Sequence, residues 1–223
     1  QIDKDLLYRC YHTFYNLNNM VVSIAGNFDP EQAIGIIENS LKESEKIEIE
    51  RKTPAEPRDV VEREHEQKLS VAIPLFNLGY KEDVPSPEDE LGHQVRFEMI
   101  QRIIAGRGSE LYRNLYDEGL INDTFGREVF CGRGYFLNVF SGESRNPTEV
   151  RRRIDAEISK YRVSGFSEEE FVRAKKTMYG HAVMSYNDVE TVANELVAAY
   201  FSGRQLFDVL DEIASVTREE LET

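Results

Sequence analysis

A β-hairpin pattern followed by an unbroken run of helix signals is the feature that most constrains the fold of this chain. Two apolar segments, Asp123–Phe130 and Tyr135–Phe140, flank Gly132-Arg133-Gly134, which is typical of a hairpin. From Asn146 onward the sequence predicts only helices. Strands followed by a run of helices favour an α+β fold, in which helices pack on one face of a largely antiparallel sheet.

Capping patterns predict where most of the helices begin. Asp29-Pro30 and Asn146-Pro147 each place a capping side chain directly before a proline, and Ser86-Pro87 has the same form. Ser167–Glu170 and Thr217–Glu220 have the form of a capping box. The spacing of apolar residues predicts further helices over residues 3–15, 109–117 and 189–200.

Two more strands are predicted before the hairpin. Met20–Ala25 is a short apolar run, which indicates a buried strand. Leu69–Tyr80 alternates apolar and polar residues, but the phase flips at Pro74–Phe76. We therefore expect either a bulge at this point or an edge position for the strand, since proline is tolerated there.

Charge and composition exclude several classes of function. The 223 residues carry 27 basic and 41 acidic side chains, a formal net charge of −14. Nucleic acids and anionic membranes require a basic surface, so neither is an expected partner. Two cysteines do not form a disulfide framework, and no apolar run approaches the length of a membrane span. We expect a soluble, cytoplasmic protein.

Catalytic and metal-binding patterns are absent from the sequence. Zinc sites usually have two ligands three to five residues apart, and no two of the four histidines are that close. Neither His-Glu-x-x-His nor His-x-x-Glu-His occurs, and neither cysteine has a Cys-x-x-Cys partner. The glycine turns at 26–29 and 106–108 lack the lysine of a phosphate-binding loop. We expect no catalytic residue and no metal ligand in this chain.

Two segments resemble elements of the pitrilysin (insulinase) family of zinc metallopeptidases. Cys10–Met20 leads through Val21–Ala25 into Gly26-Asn27-Phe28-Asp29-Pro30. This order is similar to the family's helix, Tyr-x-x-x-Asn-Met, apolar strand and Gly-x-x-Asp-Pro element. Gly108–Leu120 is similar to the family's Ser-x-Leu-x-x-x-Leu-Arg-x-Glu-Gly-Leu element, and Phe171–Lys176 also fits. The chain is identified in particular with the bacterial processing-protease-like branch, as a fragment without the zinc-binding motif.

The resemblance implies a division of the chain. Residues 1–42 would be the tail of the catalytic repeat, 43–58 a charged, proline-containing linker, and 59–223 a second, non-catalytic repeat truncated at its C-terminus. The zinc motif would precede Gln1, so zinc is implied for the parent protein and not for this chain.

The resemblance also supplies two candidate substrate-contact residues. The family's inactive repeat often carries an arginine and, a few residues later, a tyrosine that contact the substrate, and these positions correspond to Tyr116 and Asn122. Both residues depart from the pattern. They can still form hydrogen bonds with a peptide backbone, but the cationic donor is missing. The alternative is that both residues only cap or cover the end of a helix.

Three hypotheses of function follow. The first is the non-catalytic portion of a zinc endopeptidase, inactive by itself, which forms chamber wall and contacts a peptide or unfolded polypeptide substrate beside the missing catalytic repeat. The second is a non-catalytic subunit or scaffold of a peptidase-like pair. The third is an unrelated α+β binding domain. We also expect residues 3–26 to dock onto the second repeat as a substitute for its missing end, within one chain or across a swapped homodimer.

Overall fold

The computed structural model describes residues 2–42, 45, 50, 52 and 56–222. The chain divides into two compact units. Unit one contains Gln1–Lys52 and Val183–Asp208, and unit two contains Thr53–Ala182 and Val209–Thr223. Most of the predicted linker, at 43, 44, 46–49, 51 and 53–55, lies outside the described residues. The boundaries predicted from the resemblance stay predictions.

Eight helices and three strands run through the described part of the chain. The helices are α1 (Lys4–Phe14), α2 (Pro30–Ser40), α3 (Glu90–Ala105), α4 (Glu110–Asp117), α5 (Pro147–Ser164), α6 (Glu168–Ser185), α7 (Val189–Phe201) and α8 (Asp208–Ser215). The strands are β1 (Leu75–Lys81), β2 (Gly126–Gly132) and β3 (Tyr135–Glu143). None of the described helices is both long and apolar enough to cross a membrane.

Unit one consists of helices whose apolar faces are exposed. Asp3 caps α1 by accepting a hydrogen bond from the Leu6 amide, and Asp29 caps α2 in the same way through the amides of Glu31 and Gln32. These caps confirm the predicted helix starts. No residue of α1, α2 or α7 is buried.

The strand predicted over Met20–Ala25 is wrong. The segment has no strand conformation, and Met20, Val22 and Ile24 are each at least 45% exposed. The idea that this segment docks on the sheet as a strand within one chain is therefore also wrong. The swapped homodimer stays a prediction.

Unit two contains a three-stranded antiparallel sheet in the order β1-β3-β2. The hairpin of β2 and β3 confirms the pattern around Gly132–Gly134. β1 occupies an edge of the sheet, which is one of the two alternatives expected from Pro74. The strand is shorter than predicted, because Leu69–Pro74 lies outside it. Pro74 has no amide to donate, but its carbonyl accepts a hydrogen bond from the Ser144 amide at 3.0 Å.

One face of the sheet is covered by helices and carries the core. Phe136, Asn138 and Phe140 alternate along β3 and are all buried, while the residues between them are only partly buried. Phe140 packs in a cluster with residues of α3, α4 and α5, including Ile104, Leu115 and Ile154. This arrangement confirms the α+β class and the prediction of helices on one face.

Capping also organises the end of unit two. In the predicted capping box before α6, the Ser167 amide donates to Glu170 Oε2 at 2.9 Å and the Glu170 amide donates to Ser167 Oγ at 3.3 Å.

Gly165 ends α5 with φ +67° and ψ −177°. A Cβ atom at this glycine would lie 2.6 Å from Glu222 Oε1, which accepts a hydrogen bond from the Phe166 amide.

Two helix starts differ from their predictions. α3 begins at Glu90 and not near Pro87, because Ser86–Asp89 forms a turn closed by the Asp89 amide on the Ser86 carbonyl. The capping box at Thr217–Glu220 forms, but it leads into a single 3-10 turn, Glu219–Leu221.

Candidate functional site

Helix α4 positions the first of the two candidate contact residues. The Ser109 hydroxyl caps the helix by accepting from the Tyr112 amide at 3.1 Å. Leu111, Tyr112 and Leu115 are buried, so one side of the helix is fixed in the core. Tyr116 follows Tyr112 by about one turn, at the margin of this buried side, and is itself exposed.

The ring of Tyr116 is exposed and held in place by a neighbour. It stacks on Tyr112 with a centroid distance of 5.9 Å and an interplanar angle of 13°. Tyr116 is 43% exposed, and its hydroxyl has no hydrogen-bond partner among the residues that the structure describes. A tyrosine hydroxyl can both donate and accept, so this position can bind one peptide group.

The second candidate, Asn122, forms several hydrogen bonds within the chain. Its Oδ1 accepts from the Thr124 amide at 2.9 Å and from Thr124 Oγ1 at 2.6 Å. Its Nδ2 donates to Glu143 Oε2 at 2.8 Å, and the Glu143 amide donates to Thr124 Oγ1 at 3.1 Å. Asn122 therefore joins the turn after α4 to the end of β3, and a peptide would have to replace one of these bonds. Sequence reasoning missed Thr124 and Glu143, although the Asn-x-Thr spacing is typical of an Asx turn.

An ion-pair network joins the end of α4 to α5. The Arg153 guanidinium donates to both carboxylate oxygens of Glu118, at 2.9 and 2.6 Å, and to Glu149 at 2.9 Å. Hydrogen bonds from Arg152 and then Arg153 lower the pKa of Glu149 to about 2. The turn that follows Tyr116 is thus held from two sides, by Arg153 and by Glu143.

The described residues do not fit a zinc ion. No group of three histidine, cysteine, aspartate or glutamate side chains in residues 2–42 or 56–222 could hold a metal. His93 is packed against the rings of Phe97 and Phe136, and burial and Arg96 lower its pKa. His65 lies on the surface beside Glu62. The described residues therefore offer no ligand set for the zinc ion that the resemblance implies for the parent protein.

A groove along α6 is separate from the two candidates. It has a volume of about 590 Å³ and is lined by Glu168, Glu169, Val172, Arg173, Lys176 and Thr177. All six residues belong to one helix, so the groove has no second wall to enclose a ligand.

Unit two is thus an α+β domain that presents an exposed tyrosine on α4, and no cluster of metal-ligating side chains occurs among its described residues. The family model for the Peptidase M16 inactive domain matches residues 1–178, and the chain belongs to this family.

Two relatives support the assignment in sequence as well as in structure. The chain is 29% identical over 228 residues to an uncharacterized zinc protease, YmfH, of Bacillus subtilis (strain 168). The aligned region covers 99% of this chain and 53% of YmfH. A structure from Alicyclobacillus acidocaldarius described as an M16-like peptidase is 28% identical, with a TM-score of 0.87, over 99% of this chain and 54% of its own. The chain therefore spans about half the length of these relatives.

A third structure shows the fold alone. A protease from Helicobacter pylori superposes with a TM-score of 0.78 at 16% identity, over 100% of this chain and 55% of its own. The comparisons confirm the predicted family and fold class, and they agree with a non-catalytic role for the domain.

Proposed function

We propose that this chain is the non-catalytic half of a zinc-dependent endopeptidase, in which it forms part of the substrate chamber and contacts the peptide. The observation that carries this proposal is Tyr116, an exposed ring on a helix fixed in the core. The hydroxyl can form a hydrogen bond with a substrate amide or carbonyl, and the ring can pack on a substrate side chain. Such contacts orient a substrate without taking part in the chemical step.

The proposed partner is the catalytic half of the same protein. Supporting this, the relatives named as zinc protease and M16-like peptidase are about twice as long as this chain. Unit one also exposes a row of large apolar side chains on α1, among them Leu7, Tyr11 and Phe14, each at least 53% exposed. Monomeric proteins rarely leave a large apolar patch in water, so we infer that the catalytic half covers this face.

The division of labour follows from the residues present. A zinc ion bound by the catalytic half would activate the water that attacks the peptide bond. Residues of this chain would bind and orient the peptide, and would help to exclude bulk water from the chamber. Binding that is equal in the ground state and the transition state lowers KM and leaves kcat unchanged.

Kinetics of the complete gene product test the proposal. In that protein, Tyr116→Ala should raise KM for a quenched fluorescent peptide more than it lowers kcat, and Tyr116→Phe should separate the hydroxyl from the ring. Arg113→Ala, on an exposed position of the same helix, is the matched control. Unchanged constants in both Tyr116 variants would contradict the substrate contact.

The coding sequence upstream of Gln1 provides a separate test. A His-x-x-Glu-His motif there, together with peptide hydrolysis that a chelator abolishes, would support the endopeptidase. A complete sequence without this motif would contradict it and would favour a non-catalytic subunit of a peptidase-like pair.

A further inference from the structure

Helix α3 and strand β2 lie side by side and run in opposite directions. Cys131 Sγ lies 3.5 Å from Gln94 Oε1 near one end, and Gln101 Nε2 donates to the Glu128 carbonyl at 3.0 Å near the other. From Gln94 to Gln101 the helix rises about 10.5 Å, and from Cys131 to Glu128 the strand extends about 10 Å. The two elements therefore remain aligned along this length. The next residues along them, Arg102 and Arg127, therefore lie near each other.

Both arginines are on the side of the sheet that the helices cover. The register places Arg127 opposite Phe140, which is buried in the core, and opposed residues of an antiparallel pair share a face. Arg127 and Arg102 are both partly buried. The Nε atom of Arg102 is buried and has no hydrogen-bond partner in the described part of the chain.

A third arginine adds to the positive charge at this place. Arg107 is exposed in the loop after α3, and we refer to Arg102, Arg107 and Arg127 as the arginine cluster. Burial is the main cause that lowers the pKa of Arg127 to about 10; Arg102 and Arg107 lower it further, while Glu98 raises it. Burial also lowers the pKa of Arg102, again opposed by Glu98.

The negative charge nearby does not balance the cluster. Within the described residues, none of the three guanidinium groups has an ion pair with a carboxylate within 4.0 Å. Glu98 accepts a hydrogen bond from Gln94 Nε2 at 2.8 Å and supplies one negative charge. The C-terminal end of α3 adds roughly half a charge. Glu98 and the helix end thus offset only part of the positive charge of the three arginines, although the whole chain carries −14.

We propose that the arginine cluster is a binding site for a carboxylate group of a polypeptide. A guanidinium group offers a planar fork of donors that matches a carboxylate, and partly buried arginines require such a partner to offset their lost hydration. The net charge of the chain does not prevent this, since repulsion from distant carboxylates is screened beyond about 8 Å at physiological ionic strength. The site is independent of Tyr116 and of the proposed endopeptidase activity.

Fluorescence anisotropy with two peptides tests the site. One labelled peptide carries three consecutive glutamates and the other carries glutamines at the same positions. The 223-residue chain should bind the glutamate peptide at least about tenfold more tightly at low ionic strength, and added salt should remove the difference. Equal affinities would overturn the proposal, and so would stronger competition by inorganic phosphate than by free glutamate.

Arginine variants locate the binding on the cluster. Arg102→Gln and Arg127→Gln should each weaken binding of the glutamate peptide by about five- to tenfold. Arg133→Gln is the matched control, because this exposed arginine lies in the turn at the far end of β2. Equal losses in all three variants would overturn the assignment. Should Arg127→Gln fail to fold, Arg107→Gln in the exposed loop keeps the test valid.

The same peptide distinguishes two sources of the carboxylate. Binding by the complete gene product as well as by this chain indicates an acidic substrate segment. Binding by this chain alone indicates that a carboxylate of the catalytic half occupies the cluster in the whole protein. Binding by neither form overturns the proposal, whether or not the complete product hydrolyses peptides.

Discussion

The side-chain amide of Asn122 donates a hydrogen bond to Glu143 Oε2 at 2.8 Å and thereby joins the turn after α4 to the end of β3. One of the two candidate contact residues thus already has partners inside the chain, while the other, Tyr116, has a hydroxyl without a partner in the described residues. The two candidates should therefore respond differently to substitution.

Asn122→Ala should destabilise the chain. It removes both hydrogen bonds from Thr124 and the bond to Glu143. A hydrogen bond contributes about 0.5–1.5 kcal/mol, and water replaces part of this contribution where the groups are exposed or half-buried, as they are in this turn. We expect a loss of about 1–2 kcal/mol in the free energy of unfolding, measured by urea denaturation. Asn114→Ala, at an exposed position of α4, is the control. A wild-type urea midpoint for Asn122→Ala would show that the turn does not depend on this side chain.

Tyr80→Phe should weaken the attachment of β1 to α5. The Tyr80 hydroxyl donates to Asp155 Oδ1 at 2.6 Å, and burial together with Asp155 raises the pKa of Tyr80, so the hydroxyl remains a donor. Loss of a hydrogen bond to a charged acceptor should cost about 1.5–3 kcal/mol in unfolding free energy. Tyr135→Phe, at an exposed tyrosine, should leave that free energy unchanged. Equal unfolding midpoints for the two variants would contradict this prediction.

Glu149 should make the stability of the chain depend on pH in the acid range. Its pKa in the folded chain is lowered from 4.5 to about 2 by Arg152 and Arg153. A carboxylate with a lowered pKa stabilises the fold above its unfolded pKa, and this contribution is lost as the pH falls from about 4.5 towards 2. The difference in urea midpoint between wild type and Glu149→Gln should therefore shrink over this range. A difference that stays constant down to about pH 2 would argue against the ion pairs with Glu149.

Leu7→Asp should weaken the association of this chain with the proposed catalytic half. Leu7 is 63% exposed on α1, and a carboxylate there would have to be desolvated when the face is covered. In co-expression, the variant should co-purify less well with the catalytic half than wild type does. Lys42→Asp also introduces a carboxylate at an exposed position, but outside the helices, and serves as control. Undiminished co-purification of Leu7→Asp would contradict the proposed contact.

Local signals explain why the helices were largely predictable. Asp3, Asp29, Ser109 and Asn146 each cap a helix at the predicted place, because a cap needs only a side-chain acceptor and the amides of the next turn. α8 was missed. Its start depends on Asp208, whose carboxylate accepts from the Gln205 amide three residues earlier and not from its own helix.

Strands were less predictable, because a strand must pair with a second strand, and the local sequence does not specify which segment that is. Met20–Ala25 and Leu69–Pro74 have the composition of strands, yet neither pairs with the sheet. The arginine cluster was missed for a related reason. Only the register of β2 against β3 places Arg127 opposite the buried Phe140, although a charged residue in phase with Val129 and Cys131 was a signal in the sequence.

Gly165 limits how this part of the chain can diverge during evolution. Its backbone combination of φ +67° and ψ −177° is open almost exclusively to glycine, and any side chain would meet Glu222. A mutation at this codon would therefore strain the backbone at the end of α5 and displace the Glu222 carboxylate from the Phe166 amide. We expect purifying selection to preserve the glycine in descendants of this gene even where exposed polar positions drift freely.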